Sequence, residues 1–310
     1  MSNTTKGIYL SLLTALISGF SIFINKFAVD LIKPALYFTS VKNVAVALLI
    51  VAIVLMTGEW KKISKLKKKE VMYLILIGII GGSLPFYLYF TGLTQTSAVN
   101  AALIHKTLVF FVALMAVPIL KEKLSRGQIV AVLLLFLGNI FVGGFKGFKF
   151  NQGELMILAA TILWAIENIL AKKILSSVSP NIVTAFRMGI GSLILMSATL
   201  VTVPQVLSKS LMLDSSQIFW ILLTVLSLLA YTMTWYRALK NASAITVTSV
   251  LVSSTLVTNI LSAVFITHSW NVILTIQSVL IFLGVILFSK ISTKTSIRNL
   301  ETLTSTINYK

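Results

Sequence analysis

Residues 153–180 read GELMILAATILWAIENILAKKILSSVSP, an apolar helix with one acid, Glu167, set deep inside it. The same stretch reads as the chain starting over. Moved back by the difference between 153 and 7, Gly153 falls on Gly7, Lys172 on Lys26 and Pro180 on Pro34. The same ungapped offset carries Leu239, Ser243 and Ala244 onto Leu93, Ser97 and Ala98, and Phe282, Leu283 and Gly284 onto Phe136, Leu137 and Gly138. Overall identity between the halves is thin. The constancy of the offset is what marks an internal duplication.

Composition sets the class. The chain is 57% hydrophobic and 11% charged, with a mean hydropathy of +0.97, far outside the soluble globular range. Ten apolar runs, at about 7–29, 35–57, 71–94, 98–120, 127–145, 153–175, 181–203, 217–238, 244–266 and 271–289, each approach the roughly 20 residues that cross a hydrocarbon core. The runs are continuously apolar and lack the alternation of barrel strands, so they predict helices. The first is too long for a signal-peptide core and has no small-residue cleavage site, and is read as a span. There is no cysteine, which excludes disulfides and thiolate metal sites.

The net charge of +18 does not point to nucleic acid, because the basic residues stand where helices end. The linker Trp60 to Glu70 carries Lys61, Lys62, Lys65, Lys67, Lys68 and Lys69. With that linker cytoplasmic, both termini are cytoplasmic and the positive charges sort. Lys6, the linker lysines, Lys121, Lys123, Arg126, Lys172, Lys173, Arg237, Lys240, Lys290, Lys294, Arg298 and Lys310 lie inside. Lys26, Lys33, Lys146, Lys149 and Lys209 lie outside, and Lys42, Lys106 and Arg187 fall within the membrane. Five crossings is an odd number, so the second copy enters from the opposite face. The expected fold is an all-α membrane protein of ten transmembrane helices in two inverted five-helix repeats, 7–145 and 153–289, with a cytoplasmic tail over 290–310.

Several local features share order and spacing: Pro34 and Pro180 opening the second helix of each half, Tyr89 to Ala98 and Trp235 to Ala244 leading into Ser-Ala turns, Lys-Glu-Lys-Leu-Ser at 121–125, and Leu-Gly in each fifth helix. In these the chain resembles the drug/metabolite transporter superfamily, in particular its EamA group of ten-helix carriers, across residues 7–289. His268 departs from the pattern, standing where the second copy would repeat Glu122. The resemblance implies a carrier of small organic metabolites, often an amino-acid exporter, with the fifth and tenth helices peripheral and open to homodimer contacts.

The chemistry then rests on polar groups at membrane depth, each costly there and so a functional candidate. Lys106 lies roughly 12 Å into its helix and reads either as a cavity cation for a carboxylate or phosphate or as half of a structural ion pair. His105 beside it reads as a hydrogen bond to a neighbouring helix or as a proton carrier. Trp164, Glu167 and Asn168 share one helix face. Glu167 reads as a site for a substrate ammonium or a coupled proton, or as the permanent partner of Lys106, Lys42 or Arg187. Lys42 and Arg187 read as cations that snorkel to nearby helix ends or as further charges of the site. Tyr87, Tyr89, Trp235 and Tyr236 suit stacking against an organic substrate or packing, and Thr248, Thr255, Asn259 and Ser262, at helical spacing, read as one wall of a substrate cavity or as close helix packing. Gly81, Gly82 and Pro85 are expected to bend the third helix.

Two histidines far apart and one mid-membrane acid assemble no hydrolase centre or metal site, and no Walker-type loop is present, so no enzyme, cofactor or metal is expected beyond a proton as coupling ion. Scattered single charges also favour an occluded site over a channel. The surplus of intramembrane cations favours an anionic or zwitterionic solute: an amino acid first, a sugar phosphate or nucleotide sugar second. A receptor or accessory role is the alternative of another class. Partners are a small-molecule substrate and the lipid bilayer of the cell membrane.

Overall fold

The computed structural model describes residues 2–93, 95–96, 98–140, 147–205, 213–270 and 272–308. Ser97, Lys146, Lys209 and Lys310 lie outside the described residues, as do the side chains of Lys26, Ala98, Lys294 and Arg298.

The first half comprises α1 (Asn3–Leu31), α2 (Ala35–Met56), the short α3 (Trp60–Ile63), α4 (Lys68–Gly82), α5 (Leu84–Leu93), α6 (Ala98–Lys106), α7 (Leu108–Leu120) and α8 (Arg126–Ile140). The second comprises α9 (Gln152–Ile174), α10 (Pro180–Thr202), α11 (Ser215–Asn241), α12 (Ala244–Leu251), α13 (Ser254–Ser262), a π-helical turn Ala263–Thr267, and α14 (Val272–Asn308). Nine helical stretches among the described residues are long and apolar enough to cross a membrane, and Arg126–Gly138 is a shorter apolar helix. Short polar side chains start several of them. Asn151 Oδ1 accepts from the Glu154 N–H at 2.9 Å, Asp214 Oδ1 from Gln217 at 2.8 Å, and Ser243 Oγ from Thr246 at 3.1 Å, each satisfying an amide that the helix cannot.

Three expected rods are broken. The third span divides at Ser83, beside the predicted Gly81–Gly82 bend. The fourth divides at Thr107 and the ninth at Val252–Ser253. The last two breaks are related by the repeat offset. Thr107 Oγ1 donates to Ile104 O at 2.5 Å and Ser253 Oγ to Val250 O at 2.7 Å. The backbone follows suit, with Thr107 N–H to Ile104 O at 3.0 Å and Ser253 N–H to Val250 O at 3.1 Å. A hydroxyl bonding back along the helix competes with the regular ladder and bends it. The tail differs too, since α14 runs unbroken to Asn308.

The packing obeys the duplication. α1 lies along α11 as α9 lies along α4 and α5, while α2 meets α10 and α8 meets α14. Anchor glycines exchange places in the same way. A Cβ on Gly138 would come within 3.0 Å of Ile281, and one on Gly284 within 2.8 Å of Leu135, its repeat-mate's neighbour. Gly7 sits against Asn241 and Ala242, and Gly153 against Gln95 and Gly92. Small residues at these crossings let helices approach closely where hydrophobic burial offers little drive. The closest crossing joins α4 to α10: a Cβ on Gly82 would lie 2.1 Å from Arg187 O.

At the lysine-rich end the linker is tied to the turn between α9 and α10. Glu59 accepts from the Ser179 hydroxyl and from Asn181 Nδ2 at 2.9 Å, and Arg237 Nη2 donates to Asn181 Oδ1 at 3.0 Å. Glu70 accepts from Ser177 Oγ at 2.6 Å and from the Lys67 N–H at 2.9 Å.

Candidate functional site

α4, α5, α6, α9, α10 and α11 bring one group of the expected residues together. Glu167, 2% exposed, accepts a 2.5 Å hydrogen bond from Tyr236 of α11. Arg187 of α10 is buried and comes to the same glycine, Gly81, as Glu167. Gly81 makes room for them. A Cβ there would stand 2.3 Å from Glu167 Cγ and 3.2 Å from Arg187 Nε. The guanidinium carbon lies 5.7 Å from the Phe86 ring centre, Nη1 reaches Met188 Sδ at 3.7 Å, and Nε has no hydrogen-bond partner.

Trp164, one turn before Glu167, donates Nε1–H to Gly81 O at 3.2 Å and sits among rings. His105 is 4.9 Å from it, Phe86 5.5 Å and Tyr89 5.6 Å. Besides Arg187 Nε, two polar atoms in this region are buried without hydrogen-bond partners: His105 Nδ1 and Asn168 Oδ1. Asn168 Nδ2 donates to Trp164 O at 2.8 Å, so its carbonyl end is the free one.

The two lysines do not pair with Glu167. Lys106, 7% exposed, donates to Ser254 Oγ at 2.9 Å, reaching from the end of α6 to the start of α13 in the other half. Lys42, 4% exposed, donates to Asn25 Oδ1 at 2.8 Å, with the Phe38 ring 4.7 Å and the Phe90 ring 5.9 Å away. The snorkelling expected of Lys42 and Arg187 is therefore corrected: both side chains end inside the bundle, because neighbouring helices offer oxygens and ring faces there.

Other expected residues lie elsewhere. Tyr87 is 42% exposed. Trp235 is buried and stacks on Tyr231 with ring centres 6.0 Å apart. Thr255 Oγ1 bonds Val252 O at 2.9 Å at the ninth-helix break, Thr248 Oγ1 bonds Ala244 O at 2.9 Å, and Asn259 Nδ2 donates to Gln277 Oε1 at 2.7 Å on α14. The residues not singled out in the sequence are Asn25, Ser254, Phe86 and Phe90. Asn25, a polar side chain in the apolar first span, carried the signal that would have found it.

Between this region and the lysine-rich end, two side chains hold the entry to α12. Glu122 accepts from the Ala244 N–H at 2.7 Å and the Ile245 N–H at 3.1 Å, a carboxylate on a helix N-terminus. Lys172 donates to Leu239 O at 2.6 Å and Ala242 O at 2.5 Å. Among the described residues no three His, Asp or Glu side chains are gathered as a metal site would need.

The profile of the EamA-like transporter family matches the chain twice, over residues 5–144 and 151–290. The chain belongs to the EamA-like transporter family. The two matches coincide with the two halves described above, so an EamA unit is one five-helix repeat and its partner is the inverted second copy. Among its relatives, an uncharacterized transporter of Bacillus subtilis, YyaM, is 30% identical over 59% of this chain and 63% of its own length. One of Synechocystis is 26% identical over 67% of this chain and 61% of its own, so the chain spans about three fifths of these two curated relatives. A third, from Clostridium kluyveri, is 24% identical over 78% of this chain and 81% of its own. A solved structure described only as a crystal structure of a protein shares the fold, with a TM-score of 0.78 and 16% identity over 94% of this chain and 99% of that one.

Proposed function

We propose that this EamA-like chain is a secondary carrier, not an enzyme, that exports amino acids or related carboxylates across the cytoplasmic membrane with both termini inside. One observation carries the substrate class. Lys42 and Lys106 are buried, and their hydrogen-bond partners are a neutral amide oxygen and a neutral hydroxyl. A buried cation without an anion is costly, and the cost is relieved when a carboxylate enters beside it. Glu167 offers the complementary charge for a substrate ammonium and is the group to carry a coupled proton. The rings of Tyr89, Trp164 and Phe86 offer an apolar wall. The breaks at Thr107 and Ser253 give each half a bend beside Lys106, which suits alternating access between repeats.

The test is counterflow of labelled amino acids in proteoliposomes, with and without a pH gradient, with Lys106→Ala as control. Saturable exchange lost in the variant is expected. Silence across the amino-acid set with exchange of sugar phosphates would overturn the substrate class, and silence across a broad solute panel would overturn the carrier.

A further inference from the structure

A groove of about 370 Å³ opens on the outer surface of the bundle, lined by Leu66, Lys68, Val71, Met72, Ile75 and Leu76. It has one charged wall and five apolar ones. Positions 68, 71, 72, 75 and 76 form a single stripe on α4, while Leu74 and Ile77 on the opposite face are fully buried. Met72 and Ile75 are 52% and 42% exposed, at the end of a helix that enters the hydrocarbon core. Leu66 of the linker closes the head of the groove.

The linker supplies the charge. Lys61, Lys62, Lys65, Lys67, Lys68 and Lys69 all have exposed side chains. Of the two acids of the segment, Glu59 is turned to Ser179 and Asn181, whereas Glu70 caps α4 itself, accepting from the Lys67 amide and from Ser177. Lys68 therefore stands on the wall of an apolar channel that spans two helical turns, roughly 12 Å, and the other linker lysines are exposed in the segment that leads into it.

We infer that this groove is a binding site for an anionic phospholipid, its phosphate among the linker lysines and the upper part of one acyl chain along Val71, Met72, Ile75 and Leu76. Clustered lysines beside a transmembrane helix attract anionic headgroups at about a fivefold gain in affinity per lysine. A free anion would gain nothing from the apolar walls, which is why a lipid is the occupant. The bound lipid would also steady the linker, and through Glu59 and Glu70 the turn of the second repeat. The site is separate from the substrate site and stands or falls independently of it.

The experiment is native mass spectrometry of the full chain released from detergent with dioleoylphosphatidylglycerol or dioleoylphosphatidylcholine. Retention of the anionic lipid over the zwitterionic one by about tenfold or more is expected. Lys65→Gln, Lys68→Gln and Lys69→Gln together should erase that preference, and Ile75→Trp, which fills the apolar wall, should lower retention of both lipids. Lys173→Gln, at an exposed lysine that does not line the groove, should change nothing. Equal retention of the two lipids, an undiminished preference in the triple variant, or displacement of the lipid by millimolar inorganic phosphate would overturn the site. Size-exclusion profiles check folding, and Lys68→Gln alone should give a partial loss if the triple variant fails to fold.

Discussion

Lys106 Nζ and Ser254 Oγ, from opposite repeats, meet at 2.9 Å directly beside the breaks in the fourth and ninth helices. The residues that bend those helices, Thr107 and Ser253, are the immediate chain neighbours of the two. On the proposed function, a ligand anion that took the ammonium from Ser254 would act on both bends at once.

Lys106→Ala is expected to abolish counterflow of an anionic or zwitterionic solute, whereas Ser254→Ala should retain it, because the ammonium stays available to the ligand. Proteoliposome counterflow at equal protein density checks both. Equal loss in the two variants would mean that the hydrogen bond matters only for packing.

Tyr236→Phe removes the 2.5 Å donor to Glu167, and a hydrogen bond to a charged group contributes about 1.5–3 kcal/mol. A loss of thermal stability of that order is expected in detergent. Glu167→Gln keeps the shape and removes the charge. Folded protein that no longer responds to a pH gradient would assign Glu167 to coupling, and loss of folded protein would assign it to structure.

Gly82→Ala places a methyl 2.1 Å from Arg187 O and should cost about 1–3 kcal/mol by forcing α4 from α10. Gly189→Ala, with nothing within 4 Å of the new Cβ, should be neutral or stabilise by up to about 1 kcal/mol through helix propensity. Paired unfolding curves decide.

Glu122→Ala strips the acceptor from the Ala244 and Ile245 amides and is expected to cost about 1–2 kcal/mol, as loss of a helix cap does. Glu122→Gln should recover part of it. Thermal unfolding of the two variants gives the comparison.

Much of the fold was legible because its determinants are local or periodic. Hydropathy marked the spans, and Gly7, Gly153, Gly138 and Gly284 announced the repeat because close crossings need glycine at matching places. The fifth span, read over 127–145, is helical over Arg126–Ile140, and its last residues lie outside the described residues. The breaks at Thr107 and Ser253 went unread, since neither is Gly or Pro and a hydroxyl turned back on its own helix leaves no pattern in hydropathy. At the site, Glu167, Trp164, Arg187, Lys42 and Lys106 stood out by their cost in a membrane. Their partners did not, because Asn25, Ser254 and Phe86 are chosen by which helices cross, and crossing is not written in any one helix.

Glu122 has no mirror image. At the matching position of the second repeat stands His268, exposed and with a left-handed backbone, so one mouth of the molecule carries a carboxylate on a helix start and the other carries an imidazole in solvent. Perfectly repeated halves would make the two open forms degenerate. For the carrier proposed above, a single anionic fastener would lift that degeneracy and skew the ensemble toward one closed mouth before any gradient or cargo acts on it.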